Sequence, residues 1–176
     1  ALIEAPIPKL KKGQVLIKTS KTLLSSGTEK FLIDFGKSNL VQKAIKQPER
    51  VKDVLDKTKT DGIINTVKSV QSKLDEPIPL GYCNVGTILE VGEGVKNLKV
   101  GQRVVSNGYH AEYVVVPENL CAFIPSDISD STAVFTVLAS IGLQGIRLIK
   151  PTLGETILVS GLGVIGLLSA QLLKFN

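Results

Sequence analysis

The chain has 176 residues, of which 43% are hydrophobic and 21% are charged, with a formal net charge of +5. These values are ordinary for a globular protein of one domain, or of one domain and part of a second. Apolar runs stay below the ~18 residues of a membrane-spanning helix, and no signal-peptide pattern opens the sequence, so we expect no membrane partner. Cys83 and Cys121 give neither a disulfide framework nor a paired metal spacing, which favours a reducing, cytoplasmic setting.

The excess of positive charge is concentrated in one segment. Residues 37–59 hold seven Lys or Arg against three acidic residues, so this segment alone carries +4 of the +5. It contains no aromatic residue on which a base could stack, so we expect no nucleic-acid partner. Lysines at helical spacing indicate a solvated helix face, and a weak surface for an anionic partner is the alternative.

The first half of the chain alternates between β and helical patterns. Residues 14–24 are rich in β-branched residues and predict a strand. Residues 25–36, "SSGTEKFLIDFG", predict a turn that opens a short helix. Three apolar stripes at helical spacing then predict a helical insertion over residues 37–76.

The second half returns to short β segments before it becomes helical. Four short apolar runs bounded by glycines and turn residues predict a small barrel or sandwich: 85–95, 101–106, 111–117 and 120–125. Residues 129–149 predict a helix that Ser129 or Asp130 caps. Residues 156–160, "TILVS", predict a parallel strand covered on both faces, and residues 164–175 predict an apolar helix.

Between that strand and that helix, the glycines have the G-x-G-x-x-G spacing of a dinucleotide-binding turn. Gly161 permits the tight turn, Gly163 lets the backbone approach a pyrophosphate, and Gly166 lets helix and strand pack closely. The candidate cofactor-binding residues are therefore Ser160, Gly161, Leu162, Gly163, Val164, Ile165 and Gly166. A tight strand–helix turn without a ligand is the alternative.

The acidic residue that contacts the ribose normally follows such a turn by about 20 residues. That position lies beyond Asn176, so the sequence leaves the choice between NAD and NADP open. We expect the chain to be a fragment of a longer protein.

Several stretches together carry a family resemblance. The chain resembles the medium-chain dehydrogenase/reductase superfamily, the alcohol dehydrogenase-like enzymes, in "PIPKLKKGQVLIKT", "GTILEVGEGVKNLKVGQRVV", "YHAEYVVVP" and "KPTLGETILVSGLGVIGLLSAQLLK". The resemblance implies a mixed fold: a GroES-like β-barrel domain at 1–125 with the helical insertion 37–76, a connecting helix at 126–150, and the truncated start of a Rossmann α/β domain at 151–176.

Metal-dependent members of this superfamily hold a catalytic zinc through a Cys, a His-Glu pair and a later Cys or Asp. The resemblance places Ser26, Tyr82, Cys83 and Ala139 at these positions. A hydroxyl, a phenol and a methyl group are not the usual donors of a zinc site. The resemblance therefore implies a zinc-less enzyme without a metal ligand, in which Cys83 is a small buried side chain.

The pattern "LLSSGTEK" followed by "IPLGYCNVG" is similar to bacterial two-part oxidoreductases. In those, a zinc-less member is fused to a dehydrogenase of the glucose–fructose oxidoreductase and inositol dehydrogenase type, associated with polysaccharide or nucleotide-sugar metabolism. Zinc-less reductases of other pathways have the same pattern. The resemblance implies a homodimer or a covalently fused second dehydrogenase domain.

Without zinc, hydroxyl groups must handle the proton and the oxyanion. The candidate catalytic residues are Thr28, which the resemblance implies as a proton relay, Tyr82 as a proton donor, and Ser26. Thr28 is alternatively a helix N-cap, and Tyr82 is alternatively a packed barrel residue. His110, the single histidine, is interpreted as a turn residue beside Tyr109.

Together these observations predict a zinc-independent oxidoreductase that moves a hydride between NAD or NADP and a small-molecule carbonyl or alcohol, with a sugar as one substrate class. The fragment itself is expected to be inactive. The alternative is a non-catalytic binding or assembly module whose basic insertion docks a partner. Replacing Lys43, Lys46, Lys52 and Lys57 separates a docking role from a catalytic one.

Overall fold

The computed structural model describes residues 3–37 and 79–175. The predicted helical insertion, apart from residue 37, and its lysines lie outside these described residues. The contacts between residues divide the chain into two compact units. One contains Ala1–Ser25 and Leu80–Asn176, and the other contains Ser26–Pro79. Each unit is described by itself, and the predicted division at residues 125 and 150 stays a prediction.

The larger unit is built on a five-stranded antiparallel sheet. Its strands are β1 (Gln14–Thr22), β2 (Asn84–Val91), β3 (Arg103–Ser106), β4 (Tyr113–Pro117) and β5 (Cys121–Phe123). They lie in the order β4-β1-β2-β3-β5. Each of the five β segments predicted between residues 14 and 125 therefore corresponds to a strand, which is shorter than the predicted segment.

The predicted barrel appears as an open sheet in the part of the chain that the structure describes. There, β4 pairs with β1 and β5 pairs with β3, so each outer strand has one neighbour. The register between β1 and β2 shifts at Ser20: Thr19 pairs with Gly86 and Lys21 with Val85, which leaves Ser20 without a partner in the register. Such a bulge leaves the extra residue unpaired and redirects its side chain.

Apolar side chains on both faces of the sheet form the core. One cluster contains Val15, Ile17, Ile88, Leu98, Val104, Val114 and Val116. The other contains Val85, Val105, Ile124, Ala133 and Val134. Adjacent residues of β3, Val104 and Val105, enter different clusters because side chains alternate across a strand.

Helices follow the sheet. Helix α2 (Asp130–Ala133) is capped by Ser129, whose Oγ accepts a hydrogen bond from the Thr132 N–H at 3.2 Å. Helix α3 (Thr136–Ile149) follows, and α4 (Val164–Lys174) packs against it. The predicted helix 129–149 is thus two helices with a turn between them, and the prediction of Ser129 as a cap is confirmed.

The smaller unit contributes one described helix, α1 (Ser26–Lys37). It confirms the helix predicted after the turn at residues 25–36. No helix among the described residues is long and apolar enough to cross a bilayer.

The predicted strand at residues 156–160 is not formed. The structure assigns no strand there, and the Leu158 side chain is 91% exposed, so the predicted coverage of both faces is also wrong for the described residues. The physical reason is that a parallel strand requires neighbouring strands for its hydrogen bonds. The described ranges provide no such neighbour for this segment.

Candidate functional site: a glycine turn and the polar end of the sheet

The glycine turn leads directly into helix α4. Gly161 has φ +92°, a left-handed conformation that glycine adopts without strain. A Cβ at Gly166 would lie 2.0 Å from the Gly161 carbonyl oxygen, a distance that no side chain tolerates. The first and third glycines are therefore required by the backbone geometry of the turn itself, as their spacing predicts.

The second glycine has a different environment. Gly163 is the N-cap of α4, is exposed, and has no atom within 4 Å of the place a Cβ would take. It offers no side chain to cap the helix, and its carbonyl accepts from the Leu167 N–H at 2.9 Å. This is the first hydrogen bond of the helix, so the N–H groups of the residues between Gly163 and Leu167 have no acceptor within the helix. Such groups and the helix dipole attract phosphate.

The other predicted cofactor-binding residues lie on the same short stretch. Ser160, Leu162 and Ile165 are exposed, and Val164 is half-buried. The backbone of residues 160–166 therefore presents an open surface at the beginning of α4, as a cofactor-binding turn requires.

Two of the predicted catalytic residues lie at the start of α1. Ser26 is its first residue and Thr28 its third, and both side chains are exposed. Because the helix begins two residues before Thr28, the alternative interpretation of Thr28 as an N-cap is wrong. The neighbouring Glu29 is only 3% exposed, which no pattern in the sequence predicted.

The third predicted catalytic residue, Tyr82, lies in the larger unit. It is half-buried and follows Gly81 in the extended segment that leads into β2. Backbone hydrogen bonds hold this segment on both sides of Tyr82: the His110 N–H donates to the Leu80 carbonyl at 2.8 Å, and the Leu23 N–H donates to the Cys83 carbonyl at 3.1 Å.

A buried polar network lies within the sheet and includes Asn84, two residues after Tyr82. Asn84 and Ser106 are 0% and 1% exposed. The Asn84 amide donates to Thr19 Oγ1 at 2.7 Å and accepts from Ser106 Oγ at 3.4 Å. Ser106 Oγ in turn accepts from the Gly108 N–H at 3.2 Å. No motif in the sequence predicted this network, although an asparagine within an apolar strand indicates a buried hydrogen-bonded group.

His110 covers the residue before Tyr82. A Cβ at Gly81 would lie 2.7 Å from Cγ and 2.8 Å from Cδ2 and Cε1 of the imidazole. Near-equal distances to three ring atoms mean that the face of the ring lies against Gly81. Gly81 itself has φ +93°, so both its conformation and this contact exclude a side chain.

Three of the side chains that the resemblance places at zinc-ligand positions are not usual zinc donors. Ser26 offers a hydroxyl, Tyr82 a phenol and Ala139 a methyl group, whereas zinc sites use thiolate, imidazole and carboxylate. Cys83 is fully buried. In the described ranges, no group of three or more His, Cys, Asp or Glu is placed to hold a metal ion.

Comparison with known protein families and curated proteins agrees with this architecture. Residues 53–126 match the family described as the alcohol dehydrogenase GroES-like domain. The (R,R)-butanediol dehydrogenase of Bacillus subtilis is 30% identical over 125 residues, which cover 56% of this chain and 36% of that protein.

Solved structures show the same fold. An alcohol dehydrogenase of Escherichia coli CFT073, solved with NADH, has a TM-score of 0.64 and 24% identity, and the match covers 99% of this chain and 49% of that one. Galactitol-1-phosphate dehydrogenase of Escherichia coli has a TM-score of 0.65 and 20% identity, with 97% and 48% covered. The chain thus spans about half the length of these structures. Residues 53–126 are thus similar in sequence to the alcohol dehydrogenase GroES-like domain, and the fold of the chain is similar to that of these solved dehydrogenases.

Proposed function

We propose that this chain is part of an oxidoreductase that moves a hydride between a nicotinamide cofactor and a carbonyl or alcohol. The observation that supports this proposal most strongly is the glycine turn. Gly161 and Gly166 are required by its backbone geometry, and Gly163 leaves the N-terminus of α4 accessible. Support also comes from relatives named as a butanediol dehydrogenase, a D-xylulose reductase and a sorbitol dehydrogenase. These names favour a small polyhydroxylated substrate, with a sugar or nucleotide sugar as the finer proposal.

In this proposal the turn binds the cofactor through its backbone. The N–H groups at the start of α4 point toward the pyrophosphate, and the absence of a Cβ at Gly163 permits close approach. Bound nicotinamide supplies the hydride acceptor or donor. Both NAD and NADP remain candidates, because the ribose-binding acid follows such a turn by about 20 residues.

We further propose that the reaction is zinc-independent. The support is chemical: at three of the four positions that the family resemblance assigns to zinc ligands, the side chains are a hydroxyl, a phenol and a methyl group, which are not usual zinc donors. The proton of the substrate alcohol then has to pass to side chains of this chain. Tyr82 would donate to or accept from the substrate oxygen. The proposed roles of Thr28 and Ser26 in handling the proton rest on the sequence resemblance alone. The phenol would also stabilise a developing alkoxide.

Turnover by the intact protein tests this proposal. The assay follows NADH and NADPH absorbance with (2R,3R)-butane-2,3-diol and D-sorbitol, before and after dialysis against EDTA. We expect turnover that EDTA leaves unchanged, and a loss of about 100-fold in kcat for Tyr82→Phe, the size of a general acid's contribution. Tyr113→Phe, in β4, is the matched control and should retain activity.

Two outcomes would contradict the proposal in different ways. Loss of activity after EDTA treatment, restored by added zinc, would refute zinc independence alone. Absence of turnover and of cofactor binding would refute the oxidoreductase and favour the non-catalytic module, for which replaced zinc ligands are also expected. The proposal includes a cytoplasmic homodimer or fused second dehydrogenase, which the native mass of the intact protein tests.

A further inference from the structure

The turn at residues 107–112 is hydrogen-bonded to strands of the sheet at both of its ends. The Gly108 N–H donates to Ser106 Oγ of β3 at 3.2 Å, and the Glu112 carbonyl accepts from the Thr19 N–H of β1 at 2.8 Å. The intervening Ala111 N–H donates to the Tyr109 carbonyl at 3.0 Å. His110 therefore projects from a turn that is attached at both of its ends.

His110 contacts the segment before β2 in two ways. Its backbone N–H donates to the Leu80 carbonyl at 2.8 Å, and the face of its ring lies against Gly81. Beyond Tyr82, the Cys83 carbonyl accepts from the Leu23 N–H at 3.1 Å. The backbone of Tyr82 thus lies between two hydrogen-bonded carbonyls, and the imidazole covers the residue next to it.

The contact between the His110 ring and residue 81 requires a glycine at that position. With φ +93°, Gly81 takes a conformation that L side chains rarely adopt, and a methyl group there would overlap the imidazole ring at 2.7 Å. Packing contacts of this kind hold a side chain to the sub-ångström placement that proton transfer needs, and a displacement of about 1 Å costs on the order of 100-fold in rate.

We propose that His110 is a positioning residue for Tyr82: its ring on Gly81 and its backbone bond to Leu80 set the direction of the Tyr82 phenol. The proposal rests on the proposed role of Tyr82 as proton donor. It makes His110 a residue that acts through Tyr82 and does not itself contact the substrate.

The first test observes Tyr82 without any substrate. The intact protein is labelled with 3-fluorotyrosine, and Tyr82→Phe assigns the fluorine NMR signal of Tyr82. We expect His110→Ala to shift or broaden the Tyr82 signal and to leave that of Tyr113 in place. The matched control is Tyr109→Phe, which alters the exposed neighbour in the same turn and should leave the Tyr82 signal unchanged. An unchanged Tyr82 signal in His110→Ala would overturn the proposal.

The second test asks whether His110 and Gly81 act as one contact. Gly81→Ala should displace the ring and shift the Tyr82 signal. In the His110→Ala background the added methyl group has room, so the further shift should be smaller than in the parent. Equal shifts in both backgrounds would show that the two residues are independent and would overturn the contact as the positioning device.

The third test separates this proposal from the proposed function. Calorimetric titration with NADH should give the same Kd for the parent and His110→Ala, while kcat should fall about 10-fold to 100-fold in the variant. In the Tyr82→Phe background, His110→Ala should lower kcat no further, and an equal loss there would refute action through Tyr82. A parent that binds no cofactor would refute the proposed function, whereas the NMR outcome would still decide the position of Tyr82.

Discussion

The ion pair between Arg103 and Asp130 connects the sheet to helix α2. Arg103 Nε and Nη2 donate to Asp130 Oδ1 at 3.0 Å and 2.6 Å, and Nη2 also donates to the Ile128 carbonyl at 2.6 Å. Ser20, the unpaired residue of the β1 bulge, donates to Asp130 Oδ2. One carboxylate therefore joins β1, β3 and α2, and Asp130→Asn is the perturbation that weakens all three connections.

The expected loss follows from how far this pair is exposed. The side chains of Arg103 and Asp130 are 33% and 23% exposed. Fully exposed pairs contribute ~0–1 kcal/mol, whereas removing one partner of a buried pair costs ~3–5 kcal/mol. An intermediate pair with charge-assisted hydrogen bonds should lose about 2 kcal/mol of unfolding free energy when Asp130 becomes Asn. With a slope of about 2 kcal/mol/M, the urea midpoint should fall by about 1 M.

The loss should depend on pH in a defined direction. Hydrogen bonds from Ser20 and Arg103 and the positive charge of Arg103 lower the pKa of Asp130 in the folded protein. A lowered folded pKa means that the carboxylate stabilises the fold above its unfolded pKa of about 3.9, and that this contribution disappears as pH falls through the folded pKa. The difference between parent and Asp130→Asn should therefore be largest near pH 7 and shrink toward pH 3.

Urea titrations followed by circular dichroism at pH 7, 5 and 3 measure this difference. Asp127→Asn is the matched control, because Asp127 is an exposed carboxylate shortly before α2, and it should change the midpoint little at any pH. Equal midpoints for parent and Asp130→Asn at pH 7, or a deficit at pH 3 as large as at pH 7, would refute the reasoning.

Three further predictions follow from the turn, the thiols and the core. Gly166→Ala places a methyl group 2.0 Å from the Gly161 carbonyl oxygen, so we expect it to weaken NADH binding by calorimetry and to destabilise α4 by about 1–3 kcal/mol, seen in amide exchange. Burial raises the pKa of the Cys121 thiol to about 11, so folded Cys121 should react with iodoacetamide at pH 8 on the order of 100-fold more slowly than a free cysteine, by mass spectrometry; equal rates would contradict it. Ile88 is 0% exposed and its neighbour Leu89 40%, so Ile88→Ala should cost about 2–5 kcal/mol in urea and Leu89→Ala far less; comparable losses would refute the assignment of the core.

The sequence pattern predicted the strands of the sheet well because each strand is recognisable from its own residues. Residues 14–22 and 103–106 alternate or run apolar between glycine turns, and both segments are strands. The Ser129 cap could also be predicted from the sequence, because a serine directly before a helix is a favoured N-cap residue. The geometry of Gly161 and Gly166 agrees with their spacing, because the glycine requirement of the turn is local.

The predictions that were wrong concern features that depend on tertiary contacts. The segment 156–160 has the composition of a buried parallel strand, but a strand forms only beside another strand. The helix predicted over 129–149 is interrupted where Ala133 and Val134 enter the second core cluster. The contact of His110 with Gly81 joins residues that are distant in sequence, so no local pattern predicts it.

The most direct test of the central claim is a calorimetric titration of the intact protein with NADH and NADPH. The parent is compared with Gly163→Asp, which adds a carboxylate at the open N-cap of α4, and with Gly145→Asp, the same change at another exposed glycine with free space around it. We predict binding by the parent and by Gly145→Asp and its loss in Gly163→Asp. Equal binding by all three proteins would contradict a phosphate site at the turn, and no binding by any would contradict the proposed nicotinamide-dependent oxidoreductase.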